Sequence, residues 1–251
     1  MQTTVSKPIV FEGIGLHTGI KSKLTVLPAD IDFGICFKRT DIDFSDEYIP
    51  AHIGNVVSSE LCTRVANSDG INVSTIEHLM AALAGCGINN TLLEIDGPEV
   101  PILDGSALAF VKEILKTGIK LQKQSVKAVR ILRKVEYKQE MAWAKFEPSE
   151  NPKMSFSIEF SEEAIGAQSK TLDMSNGSFV RELCNSRTFC RYSEVEALRS
   201  KGLALGGSYE NAVVVDGKNV LSPGGFRHFD EPVRHKMLDA LGDIALAGYP
   251  I

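Results

Sequence analysis

FDEPVRHKMLDALGD, residues 229–243, is the stretch whose reading decides this chain. Asp230 and Glu231 put negative charge where a helix begins, and Pro232 suits its first turn. At 100° per residue, Val233, Met237, Leu241 and Ile244 gather on one side, with Leu238 and Ala240 flanking them. Pro232, His235, Lys236, Asp239 and Asp243 gather on the other. His235 and Asp239 are four apart, so their side chains share a face, as two ligands to one metal ion do. The plain alternative is a surface ion pair, because HxxxD on a helix arises often by chance.

A second stretch, STIEHLMAALAGCGINN (74–90), reads as a buried helix. Ile76, Leu79, Met80 and Leu83 have helical spacing, and Gly85 and Gly87 can end it. Ser74-x-x-Glu77 has capping-box spacing, so Glu77 serves either as that cap or in chemistry. His78 lies opposite the apolar stripe, beside Ala81 and Ala82, where small side chains let another helix approach. Alone it also reads as a hydrogen-bonded core histidine. Taken together, His78, His235 and Asp239 form a three-ligand set with an open fourth position, the pattern of catalytic zinc. A glutamate next to a ligand is the expected general base for water at such a metal. Lys236, or Arg187-Thr188, suits an anionic substrate, and Thr188 also suits a hydrogen bond to a reacting oxygen.

Around these two helices the chain alternates strands and turns. Residues 3–12 and 22–27 read as a hairpin around GIGLHTG (13–19), with His17 at its tip. His17 alone is also readable as a loop residue without a task. Strands are expected at 33–38, in short pieces over 49–73, and at 91–96, with an acidic loop over 41–47. A helix is expected over 108–117, capped by Gly118. LQKQSVKAVR (121–130) is polar and marks a boundary between domains 1–124 and 125–251. The second half restarts with strands at 128–137, 141–147 and 154–160, then helical segments at 179–184 and 193–201. GLALGGS (202–208) is an apolar glycine-rich loop before a strand at 211–216.

The 251 residues allow one large or two ordinary domains. A hydrophobic fraction of 43%, a charged fraction of 24% and a mean hydropathy of −0.01 are those of a soluble globular protein. Net charge −5 and a pI near 5.6 argue against nucleic acid as the main partner. No apolar run approaches the ~20 residues of a membrane span. MQTTVSKPIVFEGIG lacks a signal-peptide pattern, and five cysteines without a CxxC pair read as reduced thiols. The expectation is a cytoplasmic protein.

These motifs, with GPEVPILDGSA (97–107) and SRTFC (186–190), resemble in order and spacing the UDP-3-O-acyl-N-acetylglucosamine deacetylases, zinc enzymes of lipid A biosynthesis. The resemblance runs over essentially the whole chain. It implies an α+β fold of two domains of similar topology, each a β-sheet with two helices, the helices packed between the sheets. It implies Zn2+ on His78, His235 and Asp239, Glu77 as general base, and Thr188 stabilising the oxyanion at the acetamide. A His₂Asp set also accepts iron(II) or cobalt. Lys236, Phe160 and Phe189 fall at positions near the nucleotide-sugar. An insert at about 185–210, with Leu198, Leu203, Leu205 and Gly207, resembles the family's passage for the ester-linked acyl chain. The alternative there is a glycine-rich loop packing its leucines into the core. The substrate implied is UDP-3-O-acyl-N-acetylglucosamine, and the implied state is a monomer.

Three departures from the family pattern stand out. Cys190 replaces a usual glycine, and Ala142 stands where some members carry a lysine. After GYPI (248–251) the family continues with a strand and a helix bearing a general-acid histidine. No residue of this chain is assigned to that role; His17, His52 and His228 stay unassigned. The expectations are an ordinary deacetylase shown in part, or a weakly active or non-catalytic chain that binds zinc and substrate. Loss of an acid–base partner costs on the order of 10²–10⁴ in rate. The absent helix is also expected to leave an apolar face uncovered.

Overall fold

The computed structural model describes residues 1–43 and 48–251, so most of the expected acidic loop lies outside the described residues. The fold is α+β. Among the described residues the α-helices are α1 (Glu77–Gly85), α2 (Leu108–Thr117), α3 (Tyr192–Ser200) and α4 (Glu231–Ala245).

The first half is built on a five-stranded sheet in the order Ile9–Ile14, Lys21–Pro28, Thr91–Ile95, Ile35–Arg39, Ile49–Pro50. Ile9–Ile14 and Lys21–Pro28 form the expected hairpin, with Phe11 opposite Leu24. Ile9, Phe11, Leu24 and Val26 point inward while Val10, Glu12 and Lys23 face out, the alternation of a half-buried strand. The expected strand over 3–12 is broken at Ser6-Lys7-Pro8; Thr3–Val5 leaves the sheet to pair with Ile119–Leu121. A proline, lacking its N–H, suits such a break. A small antiparallel sheet of Val56–Val57, Arg64–Ala66 and Asn72–Ser74 precedes α1.

α1 is buried on every side from Glu77 to Leu83, as expected of a helix that is apolar nearly all round. α2 buries Phe110, Val111 and Ile114 and ends on Gly118 at φ 91°, whose N–H bonds the Ile114 carbonyl. Residues 122–134 form no helix or strand, so the expected strand from 128 begins only at Val135. Val135–Gln139 and Ala142–Phe146 form one hairpin, and Lys153–Glu159 with Ala167–Asp173 a second. The first hairpin leaves Val135, Tyr137 and Trp143 exposed. The second turns Met154, Phe156 and Leu172 towards the main core. Phe179–Leu183 makes a single wide π-helical turn. Phe189–Arg191 pairs in parallel with Val213–Asp216.

One core joins the two halves. Leu79, Met80 and Leu83 of α1 share it with Phe179, Leu183, Met237 and Leu238. α4 is central rather than half-exposed. Val233 and Met237 are buried as expected, and so are Pro232, Arg234 and His235 on its other sides. Gly242 lies where α4 crosses α1: a Cβ there would stand 2.1 Å from the Glu77 carbonyl oxygen. Two helix backbones meet this closely only without a side chain between them.

Candidate metal centre

α1 and α4 bring their polar groups together at this crossing. His78 comes from the first turn of α1; His235 and Asp239 come from consecutive turns of α4. One ligand atom from each lies within 4.8 Å of the other two. The Asp239 Oδ1 is 3.2 Å from His235 Nε2 and 3.5 Å from His78 Nε2. The two rings stand edge to face, their centroids 4.9 Å apart.

Two of the three candidate ligands are aimed by a neighbour. His235 Nδ1 lies 3.0 Å from the Ser186 carbonyl oxygen. A carbonyl only accepts, so Nδ1 carries the proton and Nε2 turns its lone pair into the cluster. Lys236 Nζ donates to Asp239 Oδ2 at 3.0 Å, leaving Oδ1 for the cluster. That Oδ1 is buried and has no hydrogen-bond partner among the described residues. An ionised oxygen out of water with no donor is costly unless a cation meets it. The residues present therefore fit a divalent cation.

Ionisation agrees with this. Burial works against the Asp239 carboxylate, but His235, His78 and Lys236 outweigh it and hold it below the usual range. Burial pushes His235 down to about 3, so its imidazole is neutral. Burial also opposes charge on His78, but the adjacent Asp239 carboxylate outweighs it and raises it. Without a cation, His78 is thus where a proton would sit, and a cation displaces it.

Glu77 does not form the capping box. The Ser74 hydroxyl accepts from Arg64 Nε at 2.8 Å, and α1 begins without a side-chain cap. The Glu77 carboxylate instead accepts the Thr63 N–H at 3.0 Å. Burial drives it up to about 7, with His78 opposing and Asp239 adding to the rise. Thr63 also donates its hydroxyl to Asp239's neighbour one turn on, Asp243, at 2.6 Å. Thr63 was not legible as a site residue, because its tie to Glu77 is through backbone.

One aromatic ring stands beside His235, and a second packs on the first. Phe189 is 6.3 Å from His235 and Phe160 is 5.3 Å from Phe189, both edge to face. Lys236 Nζ lies 5.6 Å from the Phe189 ring centre. Thr188 is tied by backbone to Gly105 and Val213, one residue before Phe189. Arg187 is engaged by Glu231: its backbone N–H, Nε and Nη2 all donate to it, at 2.9, 2.9 and 3.1 Å. Leu198 and Leu203 are half-buried, Leu205 is exposed, and the contacts of 204–206 run to the turn at 15–19.

No helix among the described residues is long and apolar enough to cross a membrane. The family model described as "LpxC: UDP-3-O-acyl N-acetylglycosamine deacetylase" matches residues 2–251. The chain is 46% identical over 250 residues to the UDP-3-O-acyl-N-acetylglucosamine deacetylase of Phenylobacterium zucineum, covering 100% of this chain and 85% of that protein. It is 43% identical over 252 residues to the enzyme of that name from Pasteurella multocida, covering 100% and 82%. To that from Geobacter sp. it is 46% identical over 248 residues, covering 99% and 81%. The chain belongs to the UDP-3-O-acyl-N-acetylglucosamine deacetylase family.

Proposed function

We propose that this chain hydrolyses the N-acetyl amide of UDP-3-O-acyl-N-acetylglucosamine to the free amine and acetate, a step of lipid A biosynthesis. The observation that carries the reading is the buried, unpartnered Asp239 Oδ1 between two imidazole nitrogens, in a chain of the deacetylase family. His78, His235 and Asp239 would hold a divalent cation, which we take to be Zn2+ from the two-nitrogen, one-oxygen donor set. Such a cation supplies Lewis-acid polarisation of the amide carbonyl and the attacking water.

Glu77 takes a proton from that water as its oxygen bonds to the carbonyl carbon. When the C–N bond breaks, the leaving nitrogen takes up a proton. A carboxyl near pH 7 suits both duties, since it accepts and returns a proton at neutral pH. Thr188 is placed in this reading as the hydroxyl meeting the oxyanion. Lys236, Phe160 and Phe189 receive the nucleotide-sugar: an ammonium for its anionic part and two ring faces for its sugar. Leu198, Leu203, Leu205 and Gly207 are assigned to the acyl chain, which their apolar, small-residue composition supports.

The reading places the protein in the cytoplasm as a monomer, with all three ligands supplied by one chain. It also divides the chain into domains 1–124 and 125–251, which the irregular stretch 122–134 supports. The test is acetate release from the acylated UDP-sugar by zinc-loaded protein, beside metal analysis. About one zinc per chain with acetate release is expected. A His78→Ala, Asp239→Ala double variant that keeps its zinc would overturn the ligand set.

A further inference from the structure

The glycine-rich loop 202–208 and the turn of GIGLHTG, far apart in sequence, mesh backbone to backbone. Three successive N–H groups of the loop point at the turn. Ala204 donates to His17 Nδ1 at 3.4 Å, Leu205 to the His17 carbonyl at 3.0 Å, and Gly206 to the Leu16 carbonyl at 3.0 Å. There is no space between them: a Cβ on Gly206 would lie 2.2 Å from the Gly15 carbonyl oxygen. On the other side of Gly206, Asn211 Nδ2 donates to its carbonyl at 3.0 Å.

The turn is itself held by one buried carboxylate. Glu99 is 1% exposed. Its Oε1 accepts the His17 N–H at 2.9 Å and the Thr75 hydroxyl at 2.7 Å. Its Oε2 accepts the Thr18 N–H at 2.8 Å and the Thr18 hydroxyl at 2.7 Å. Gly15 leaves room for this carboxylate, since a Cβ there would stand 2.2 Å from Oε2. A buried carboxylate with four donors has one low-energy position, and so has the turn that supplies three of them.

We propose that Glu99, through the 15–19 turn, is a positioning residue for the 202–208 loop and thereby sets which acyl chains the protein accepts. Leu203 and Leu205 flank Ala204, so seating the 204–206 backbone fixes where both leucines stand. The proposal rests on the reading that these leucines meet the acyl chain. The ligand class is an aliphatic acyl ester, and the selectivity at issue is chain length. The metal set is reached by another branch of the network, Thr75 at the entry to α1, and that branch can be tested apart.

The experiment compares two UDP-3-O-acyl-N-acetylglucosamines, one short and one long in the acyl chain. Wild type, Gly206→Ala, Glu99→Gln and the milder Thr18→Val are zinc-loaded and checked for zinc content and Tm. Gly206→Ala pushes the loop off the turn without touching Thr75 or α1. The expected result is a rise in KM for the preferred chain of roughly 10-fold, the scale of a lost methylene contact or more, with kcat within about twofold and zinc unchanged. The ratio of kcat/KM between the chains falls towards one. An unchanged ratio in Gly206→Ala and Thr18→Val, with folding intact, overturns the proposal. So does an equal loss of kcat on both substrates together with zinc loss, which would assign Glu99 to α1 alone. Acetate release from neither substrate by wild type would instead sink the reading of function.

Discussion

Gly242 of α4 rests on the Glu77 carbonyl of α1, at a distance that leaves a Cβ 2.1 Å from that oxygen. The same crossing carries the candidate ligands: His78 follows Glu77, and Asp239 is three residues before Gly242. Gly242→Ala must push the helices apart. Overpacking of this kind costs about 1–3 kcal/mol. The shift also separates His78 from Asp239, so zinc affinity falls with stability. Denaturant unfolding and zinc titration of the same variant measure both. Unchanged zinc affinity in a destabilised variant would break the link between the crossing and the site.

In the proposed mechanism Glu77 sets the acid side of the pH profile. Buried, and held at about 7 without a cation, its carboxyl is protonated below that value and unable to accept a proton from water. A dication held by His78 and Asp239 attracts the carboxylate and lowers this value. Activity is therefore expected to rise with pH through an inflection at or below 7. Glu77→Gln keeps an oxygen for the Thr63 N–H but cannot take a proton. It should lower kcat on the order of 10²–10⁴ while zinc stays bound. Rates across pH 5–9 for both proteins check this.

The two helices that carry the candidate ligands were legible in sequence for physical reasons. Apolar residues at helical spacing define α1 and α4, and a histidine on such a helix is conspicuous against Ala81, Ala82 and Leu238. What failed was pairing over distance. Ser74-x-x-Glu77 has the spacing of a cap, yet Ser74 ends a strand and Thr75 turns at φ 56°, so the two side chains are not set for capping. The tie of Arg187 to Glu231, 44 residues on, is likewise a contact that only the fold brings about. The Thr63 N–H on Glu77 and the Ser186 carbonyl on His235 are backbone groups, which every residue carries and no sequence pattern marks. The clamp around Glu99 was equally hidden: its donors come from two separate segments, the 15–19 turn and Thr75, and only Gly15 and Gly206 hint at the close approach.

The Arg187–Glu231 pair should matter to the metal as well as to stability. Glu231 is fully buried and accepts from Arg187 and from the Arg227 N–H, which fixes the chain at 186–187. The Ser186 carbonyl in this segment orients His235. Glu231→Gln leaves the Arg187 guanidinium buried without its counter-charge. A loss of about 3–5 kcal/mol is expected, read as a lower urea midpoint with an unchanged slope. Zinc affinity should fall about 10–100-fold, the usual effect of losing a group that orients a ligand. Replacing both partners by apolar residues of similar size separates the effects: stability returns in part, while zinc affinity stays low.

Zinc should stabilise the folded chain by mass action. In the metal-free protein burial works against the Asp239 carboxylate, while His235, His78 and Lys236 outweigh it and keep it ionised, ready to meet a cation. A cation that binds this arrangement and not the unfolded chain adds about 2.7 kcal/mol at a free concentration one hundred times its dissociation constant. Tm should climb with zinc concentration and fall again on chelation. At low pH the gain disappears, because protons compete at His78, which Asp239 makes the more basic imidazole of the two. Asp239→Asn removes the charge the cation meets but keeps the volume. Because its neighbours hold Asp239 below the usual carboxylate range, the charge stabilises the metal-free fold, so this variant should lower the metal-free Tm and erase most of the zinc-dependent shift. A full zinc shift in Asp239→Asn would mean that the cation binds elsewhere.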